Sequence, residues 1–309
     1  MPISGELLER PADGPVVPAG LPLVILLTGF TDAGNAVSGL IDHLQETTDP
    51  KPVAVFDNDL LLDYRARRPV MIFDQDHLTE FRPARLELSL AHDALGQPFL
   101  LLSGYEPDFA WNAFADTVLD LVAEYAVSGV AWVHSIAMPV PHTRPLGTTV
   151  SGNRRDLTAA HSVWRPRTQV PSTAAHLLEY RLIESGTRVV GFVLLVPHYL
   201  ADTEYPDTVI AAADKLMIAT GLVLRMDDLQ ASREEYLGRV EDQVTGNDEL
   251  VQMVHTLERR YDAYMAGRDE DGADEGGFDE RDLPSADELA AELERYLANR
   301  RPGDEDKLG

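Results

Sequence analysis

Apolar residues in the first 225 positions occur in short unbroken runs that alternate with longer amphipathic stretches. Runs bounded by turn-forming residues are typical of buried β-strands; they cover 21–28, 52–57, 98–104, 130–136 and 188–196. Two further segments alternate enough to predict antiparallel or edge strands, 69–73 and 85–92. Helical spacing of apolar residues is seen in 36–45, 109–127, 172–186 and 207–220. Strands separated by helices predict an α/β fold with a mainly parallel sheet flanked by helices.

The pattern changes near residue 226, after which no strand signal remains. Helices are predicted at about 228–244 and 248–266, forming a hairpin packed on the core. An acid- and glycine-rich linker is expected at about 268–284, followed by an amphipathic helix at 285–298. The apolar positions expected to pack are Leu229, Tyr236, Leu237, Val240, Leu250, Val254 and Leu257 in the hairpin, and Leu289, Leu293 and Leu297 in the last helix.

Charge supports the same division into an α/β core, 1–225, and an acidic helical C-terminal region, 226–309. The core carries a net charge of −11 and the C-terminal region −15, from a total of −26 in 309 residues. So acidic a chain disfavours nucleic acid and anionic membrane surfaces as partners, because both need basic patches. No apolar run is long enough for a membrane span, and the N-terminus lacks signal-peptide features, so a cytoplasmic protein is expected.

The stretch LTGFTDAGNAV, residues 27–37, leaves a predicted strand through Gly29 and Gly34. That glycine spacing matches the phosphate-binding loop G-x-x-x-x-G-K-[ST], but Asn35 and Ala36 stand where that loop needs its lysine and hydroxyl residue. The favoured interpretation is a tight strand-to-helix turn in which Asp32 caps the helix. The alternative is a site that uses the Asp32 carboxylate, and a phosphate cradle comes last.

Two other loops carry residues suited to a binding or catalytic site. DNDLLLDYRARRPV, residues 57–70, contains Arg65 and Arg68, which suit an anionic ligand, although a surface ion-pair network is the favoured explanation. MPVPHTRP, residues 138–145, holds His142 and Arg144 between prolines that stiffen the chain. His198 follows another predicted strand in the same way.

These loops all follow predicted strands, and ligands in open α/β sheets bind outside the carboxyl ends of the strands. If the strands are parallel, one cleft is expected to be lined by Asp32, Asn35, Arg65, Arg68, His142, Arg144 and His198. The rival interpretation is that these groups tie the loops together by hydrogen bonds. The sequence contains no G-x-S-x-G, H-E-x-x-H or G-x-G-x-x-G motif, and no cysteine. It therefore predicts no cofactor and no metal.

Several stretches together resemble the proteasome assembly chaperone 2 family, in particular its bacterial, actinobacterial-type members. They are GFTDAGNA, FDNDLLLDYRARRP, MPVPHTRP, LERRYD and LPSADELAAELERYL, spanning about residues 21–297. The resemblance implies an α/β core similar to the nucleoside-phosphorylase fold. Eukaryotic and archaeal relatives bind 20S proteasome subunits, some through a C-terminal hydrophobic-Tyr-x tail that the final residues DEDKLG do not match.

Two functional hypotheses follow and both stay open at this point. The first is a self-associating binding protein of the assembly-chaperone type, with proteasome subunits or related proteins as partners. The alternative is a phosphorylase- or hydrolase-like enzyme, or an ATP-dependent ligase, acting on a small anionic or nucleoside-type substrate. That substrate would lie in a cleft lined by Asp32, His142 and Arg144.

Overall fold

An eight-stranded mixed sheet forms the centre of the protein, in a computed structural model that describes residues 7–165 and 167–270. Its strands lie in the order β1-β3-β6-β7-β2-β8-β10-β9, while β4 and β5 form a separate two-stranded sheet. The strands are β1 Leu8–Glu9, β2 Pro22–Thr28, β3 Lys51–Phe56, β4 Val70–Asp74, β5 His77–Arg82, β6 Leu86–His92, β7 Pro98–Tyr105, β8 Gly129–Met138, β9 Gly147–Gly152 and β10 Val189–Pro197.

The four central strands, β7, β2, β8 and β10, pair in parallel. The flanks are antiparallel, since β1, β3, β6 and β7 alternate in direction on one side and β9 opposes β10 on the other. The expectation of a mainly parallel sheet therefore holds at the centre but not at the flanks. The physical reason is a short reversal: β6 and β7 are joined by 93–97, which is too short for the crossover that parallel strands require.

Helices cover both faces of the large sheet. They are α1 Ala36–Thr48, α2 Asn58–Leu61, α3 Trp111–Glu124, α4 Arg155–His161, α5 Ala174–Glu184, α6 Pro206–Thr220, α7 Asp227–Thr245 and α8 Asp248–Glu270. Buried side chains form two hydrophobic cores, one on each face. Trp132 and Phe114 belong to the core beneath α3 and α5. Phe192 and Leu40 belong to the core beneath α1 and α6.

The C-terminal helices α7 and α8 confirm the predicted pair and pack against the rest of the chain. Val240, Val254 and Leu257 are buried. Tyr236 of α7 stacks on Tyr205 with ring centroids 5.2 Å apart. The helix α8 continues through the first three residues assigned to a linker at 268–284; the rest of that linker and the predicted helix at 285–298 lie outside the described residues.

Five of the strands and α-helices of the described residues were not predicted from the sequence: β1, α2, β5, β9 and α4. The strand β9 begins and ends in glycine and carries threonine and serine, so it lacks the apolar pattern of a core strand. The strand β5 is mostly exposed, which leaves no apolar alternation to detect. Within the described residues, none of the helices combines the length and apolar character that a membrane span needs.

Candidate functional site

The loops that carry the predicted site residues lie at one edge of the large sheet. β7, β2, β8 and β10 are mutually parallel, and β3 runs in the same direction because two antiparallel pairings separate it from β7. The loops after these five strands therefore leave from the same end. This arrangement meets the geometric condition for a ligand site of an α/β sheet.

Asp32 acts as the cap of helix α1. One carboxylate oxygen accepts the Val37 amide at 2.7 Å, and the other accepts the Ser38 amide at 2.8 Å and the Ser38 hydroxyl at 2.6 Å. The Ser135 hydroxyl of β8 donates a longer bond of 3.3 Å. A carboxylate at this position satisfies two amides that the helix leaves unpaired and interacts favourably with its dipole. The aspartate-cap interpretation of this turn is therefore confirmed.

The two glycines of the same turn have separate steric roles. A Cβ placed on Gly29 would lie 2.1 Å from Oε2 of Glu106, whose other oxygen accepts the Ala174 amide at the start of α5 at 2.5 Å. Gly34 has a left-handed φ of 68°, and its Cβ would lie 2.7 Å from Thr208. The two glycines thus allow neighbouring side chains to approach the turn closely. The N-terminus of α1 already has an anionic partner, the Asp32 carboxylate.

His142 is held by Tyr199. The tyrosine hydroxyl accepts the His142 backbone amide at 2.8 Å and lies 2.7 Å from Nδ1 of the ring. The two rings meet edge to face, with centroids 5.7 Å apart. Burial lowers the pKa of His142, and this effect is opposed by the negative charges of Glu241, Glu258 and Asp207. These three carboxylates belong to α7, α8 and α6, so the imidazole lies near all three helices.

Arg144 binds helix α8 rather than an open cleft. Its guanidinium donates two hydrogen bonds to Asp262, of 2.9 and 2.8 Å, and one of 3.2 Å to Glu258. The neighbouring Thr143 hydroxyl donates to the same Glu258 oxygen at 2.6 Å. Hydrogen bonding to Asp262 raises the pKa of Arg144 and lowers that of the aspartate. The stiff proline loop therefore serves as a docking point for the C-terminal helices.

The arginine cluster is arranged differently from expectation. Arg65 and Arg68 are exposed, whereas Arg67 between them turns inward. The Arg67 guanidinium pairs with Asp108 in the loop after β7, and lies 5.2 Å from the centroid of the Tyr105 ring. This contact fixes the 57–70 loop to the sheet edge. The sequence identified the cluster, but not which of its members the fold uses.

The two remaining candidates, Asn35 and His198, also have structural surroundings. Asn35 adopts a left-handed φ of 53° at the start of α1, and its backbone amide donates a hydrogen bond to the Asp32 backbone carbonyl at 3.0 Å. His198 is exposed, with its ring edge to face against Tyr199 at 5.4 Å. Both of these contacts are made to residues of the same loop or turn.

The candidates therefore fall into separate groups. The partners of Asp32 lie in α1 and β8, whereas those of His142 and Arg144 lie around Tyr199 and α8. Hydrogen bonds and ion pairs tie each group into the fold. Such bonds are expected if the polar groups connect loops, and a single cleft shared by all the candidates stays a prediction.

A histidine cluster that the sequence did not single out lies at the same edge, on the face covered by α5. Nε2 of His134 lies 3.1 Å from the Thr31 hydroxyl, which also donates to the Ser135 carbonyl at 3.1 Å. The His176 ring of α5 lies 6.4 Å from that of His134 and 5.1 Å from that of Trp132. The available signal was a histidine inside the apolar run VAWVHSI, where a buried imidazole needs a partner.

Burial sets the charge state of this cluster. His134 is 7% exposed, and its burial, reinforced by His176, lowers its pKa to about 4. Burial also lowers the pKa of His176 and raises that of Glu179. Glu179 accepts hydrogen bonds of 2.8 Å from Trp132 and from Ser151. Both imidazoles are neutral at pH 7, so they supply hydrogen bonds and no positive charge.

The Thr31 hydroxyl gives its one hydrogen to the Ser135 carbonyl, so Nε2–H of His134 donates to Thr31 and the pair is not arranged as a nucleophile and its base. A complete triad also needs a carboxylate hydrogen-bonded to the other imidazole nitrogen, and the next group here is a second imidazole. Among residues 7–165 and 167–270, no group of three or more His, Asp or Glu side chains is placed to hold a metal ion. The cluster is suited to binding an uncharged, hydrogen-bonding group.

Comparison with family models gives a match to the PAC2 family over residues 26–244. The chain belongs to the PAC2 family. The matched region runs from β2 through nearly all of α7, so it includes the sheet edge and every predicted site residue. Comparison with curated proteins gives no match.

Solved structures of actinobacterial proteins share this fold. A Corynebacterium glutamicum protein of unknown function is 32% identical, with a TM-score of 0.81 over 85% of this chain and 99% of that one. The Mycobacterium tuberculosis protein Rv2714, also of unknown function, is 37% identical, with a TM-score of 0.78 over 84% and 92%. The M. tuberculosis proteasome-assembly chaperone homologue Rv2125 is 22% identical, with a TM-score of 0.69 over 76% and 100%.

Proposed function

We propose that this PAC2-family protein is a binding protein of the assembly-chaperone type, with proteasome subunits or related proteins as partners. The observation that carries the proposal is the family match over residues 26–244. A shared fold with a proteasome-assembly chaperone homologue is consistent with it. Fold likeness alone transfers no function, so the proposal depends on direct evidence of a partner.

The chemistry of the sheet edge also favours binding over catalysis. Asp32 caps a helix, and Arg144 is held by two carboxylates of α8. Reacting groups in enzymes are placed where a substrate reaches them, with a base or an orienting partner behind. Here the polar residues identified from the sequence stabilise the sheet edge to which a partner would bind.

We further propose how this protein is organised and where it works. The α/β core, 1–225, has a nucleoside-phosphorylase-like fold and carries an acidic helical region, 226–309. The protein acts in the cytoplasm as a homo-oligomer. The ion pairs between the 138–145 loop and α8 support a helical region held firmly against the core.

Affinity purification tests the proposed partner. The tagged full chain is expressed in a host with its own proteasome, cross-linked and purified, with the tag alone as control. We expect reproducible recovery of a proteasome subunit or precursor, identified by mass spectrometry and reproduced with purified components. Recovery of a different defined partner, with no proteasome component in repeated experiments, would refute the proteasome form of the proposal.

A second candidate function, an enzyme acting on a small nucleoside-type substrate, is favoured by one observation. The neutral His134 imidazole contacts the Thr31 hydroxyl at the sheet edge where α/β folds bind ligands. A thermal-shift screen of nucleosides, nucleotides, sugars and phosphate examines it, because a ligand that binds the folded state raises the melting temperature. A shift abolished by His134→Asn but kept in the exposed His92→Asn variant would show that a ligand binds at this cluster, as the enzyme hypothesis requires.

A further inference from the structure

Strand β10 contains one residue that solvent reaches, Val193. The other eight of its nine residues are buried, although β10 lies inside the large sheet between β8 and β9. The Val193 side chain packs against the core beneath α3 and α5, so it points to the face that α5 covers. A partly exposed valine on an inner strand marks an opening in the layer between this face and α5.

Polar side chains lie on both sides of Val193. His134 of β8 and Thr149 of β9 are its partners in the two strand pairings, so the three residues form one row on the same face of the sheet. The Thr149 hydroxyl is buried and has no hydrogen-bond partner among the described residues. Buried polar groups normally have one, so this row contains a polar atom whose bonding is incomplete.

Helix α5 contributes a third polar group, the partly exposed His176. Its ring lies 5.1 Å from that of Trp132 and 6.4 Å from that of His134, measured between centroids. Glu179, one helical turn further along, accepts hydrogen bonds from Trp132 and Ser151, which belong to the next row of the sheet. The His176 imidazole therefore borders the opening from the helix side.

Neighbouring hydrogen bonds determine which nitrogen carries the hydrogen in each neutral imidazole. Since the Thr31 hydroxyl donates to the Ser135 carbonyl, His134 donates from Nε2 and its Nδ1 is an acceptor. The Thr173 backbone amide donates to Nδ1 of His176 at 3.1 Å, so Nε2 of His176 carries the hydrogen and is a donor. Within the described part of the chain, neither that acceptor nor that donor has a hydrogen-bond partner.

This arrangement does not suit a metal ion or a charged ligand. An imidazole that binds a metal through one nitrogen normally donates from the other, whereas Nδ1 of His176 already accepts an amide. Burial lowers the pKa of both His134 and His176, so at pH 7 neither offers a positive charge to an anion. Burial also raises the pKa of Glu179, which weakens this carboxylate as a partner for a cation.

We propose that the opening lined by His134, Thr149, His176 and Val193 binds the amide edge of a small uncharged ligand, a carbonyl next to an N–H. The ligand N–H donates to Nδ1 of His134, and its carbonyl accepts from Nε2–H of His176. Two hydrogen bonds of about 2.9 Å with an amide between them can bridge imidazole rings at this separation. The planar ligand contacts the apolar side chain of Val193.

Carboxamides and nucleobases share this amide edge. The inference rests on the second candidate function for a small ligand at these histidines, and it names the chemical group that is recognised. It is independent of a proteasome-type partner.

Ligand-observed NMR with the full chain tests the recognised group. The probes are benzamide and uracil, one from each source of the amide edge, with acetophenone and benzoate as controls. Acetophenone keeps the carbonyl but lacks the N–H, and benzoate is anionic, so each should bind about 10-fold more weakly than an amide that binds. Preference for benzamide or for uracil identifies the source. Equal binding of acetophenone, or no binding of either amide, overturns the inference.

A variant that fills the opening tests its position. Val193→Phe adds volume without removing a hydrogen-bonding group, and the control Val223→Phe makes the same change at an exposed position. We expect Val193→Phe alone to weaken amide binding about 10-fold or more, with circular dichroism verifying that both variants are folded. Unchanged amide binding in folded Val193→Phe would place the amide elsewhere.

A measurement on the wild type keeps the inference testable if Val193→Phe fails to fold. Side-chain ¹⁵N spectra of histidine-labelled protein report which ring nitrogen carries the hydrogen, and His134→Asn and His176→Asn assign the two signals. We expect both rings to carry it on Nε2, and the preferred amide to shift these two signals and not that of the exposed His92. Hydrogen on Nδ1 of either ring, or no shift, overturns the inference.

The outcomes separate this site from the second candidate function. Another ligand from the thermal-shift screen that binds equally well to Val193→Phe overturns the amide site and leaves the enzyme hypothesis in place. An amide that binds in the opening and is recovered chemically unchanged supports the site and counts against the enzyme.

Discussion

Gly29 lies directly against the side chain of Glu106. A Cβ at position 29 would be 2.1 Å from Oε2, 2.8 Å from Cδ and 2.6 Å from Cβ of the glutamate. Because the near end of the side chain is involved as well as its tip, rotation of the carboxylate alone cannot relieve the contact. The glutamate is itself held by the Ala174 amide, so it links the loops after β2 and β7 to the start of α5.

Replacing Gly29 with alanine should destabilise the fold. The added methyl displaces Glu106 from the start of α5, and overpacking of this kind costs about 1–3 kcal/mol. Urea denaturation measures the loss. The control Gly238→Ala adds a methyl in open space on α7 and should leave stability unchanged or slightly raised, because alanine favours helix.

A double variant tests the assigned cause. With Glu106→Gly in the background, both the carboxylate and the Cβ atom at 2.6 Å are absent, so the cost of Gly29→Ala should fall below about 1 kcal/mol. Strictly additive losses would show that the glycine is required for another reason.

This turn illustrates what the sequence could reveal. The run from residue 21 to 37 specifies a strand, a tight turn and a capped helix, because local propensities and the Asp32 cap act over a few residues. The neighbour that makes Gly29 necessary comes from the loop after β7, distant in sequence. The spacing of two glycines therefore identified the turn but could not identify what each glycine accommodates.

Removal of the Asp32 carboxylate should weaken helix α1. Asp32→Ala leaves the Val37 and Ser38 amides without their acceptors, and loss of an N-cap costs about 1–2 kcal/mol. Asp32→Asn keeps one acceptor oxygen and should lose less. Urea denaturation gives the free energies of unfolding, and partner recovery should be retained at temperatures where the variant is folded. Normal stability of Asp32→Ala would contradict the cap.

The β4–β5 hairpin, residues 70–82, shows a different limit of sequence reasoning. The pattern of PVMIF, residues 69–73, predicts an antiparallel or edge strand, and β4 does form there in an antiparallel pair with β5. The pattern reports hydrophobicity, however, and contains no information on whether the covering surface belongs to the same molecule. The five residues of β4 are consequently exposed in the single chain.

Loss of the Arg144 guanidinium should release helix α8 from the core. Arg144→Gln removes the ion pairs with Asp262 and Glu258, so hydrogen exchange of the α8 amides should become faster. The control Arg239→Gln removes an exposed pair with Glu235 and a cation–π contact with Tyr236, both within α7, and should leave α8 protection unchanged. Unchanged exchange in Arg144→Gln would show that apolar packing alone holds α8.

The same ion pairs predict an effect of acid. Hydrogen bonding to Arg144 lowers the pKa of Asp262, and contacts from Thr143 and His255, with the nearby arginine, lower that of Glu258. Carboxylates with a depressed pKa in the folded state stabilise it above their unfolded pKa values, and that contribution is lost as pH falls through the folded values. Protection of α8 in the wild type should thus decrease below about pH 4, and less so in Arg144→Gln.

The histidine cluster could be predicted from the sequence only in part. Period-two alternation in VAWVHSI places His134 on the same face as Trp132, so its burial could be read from the sequence. Its neighbour His176 comes from α5 and Thr31 from the loop after β2, and only the tertiary fold brings them together. Polar clusters of this kind are difficult to predict because each member has an ordinary local role.

Burial of His134 gives the protein a stability that depends on pH. Its pKa falls from 6.5 to about 4 on folding, so between these values the unfolded chain binds a proton that the folded protein excludes. Stability is therefore unaffected by this group above pH 6.5 and decreases as pH falls towards 4. The full shift corresponds to roughly 3 kcal/mol, and most of it should be lost by pH 4.5.

Urea denaturation between pH 7.5 and 4.5 measures this loss, with His134→Asn as the test variant. Asparagine cannot take up the proton, so its stability should decline less steeply with acid, although His176 and other groups retain part of the slope. The exposed His92→Asn variant is the matched control and should reproduce the wild-type profile. Parallel profiles for wild type and His134→Asn would mean that His134 titrates alike in the folded and unfolded states. The conclusion that the His134 imidazole is neutral because it is buried would then be wrong.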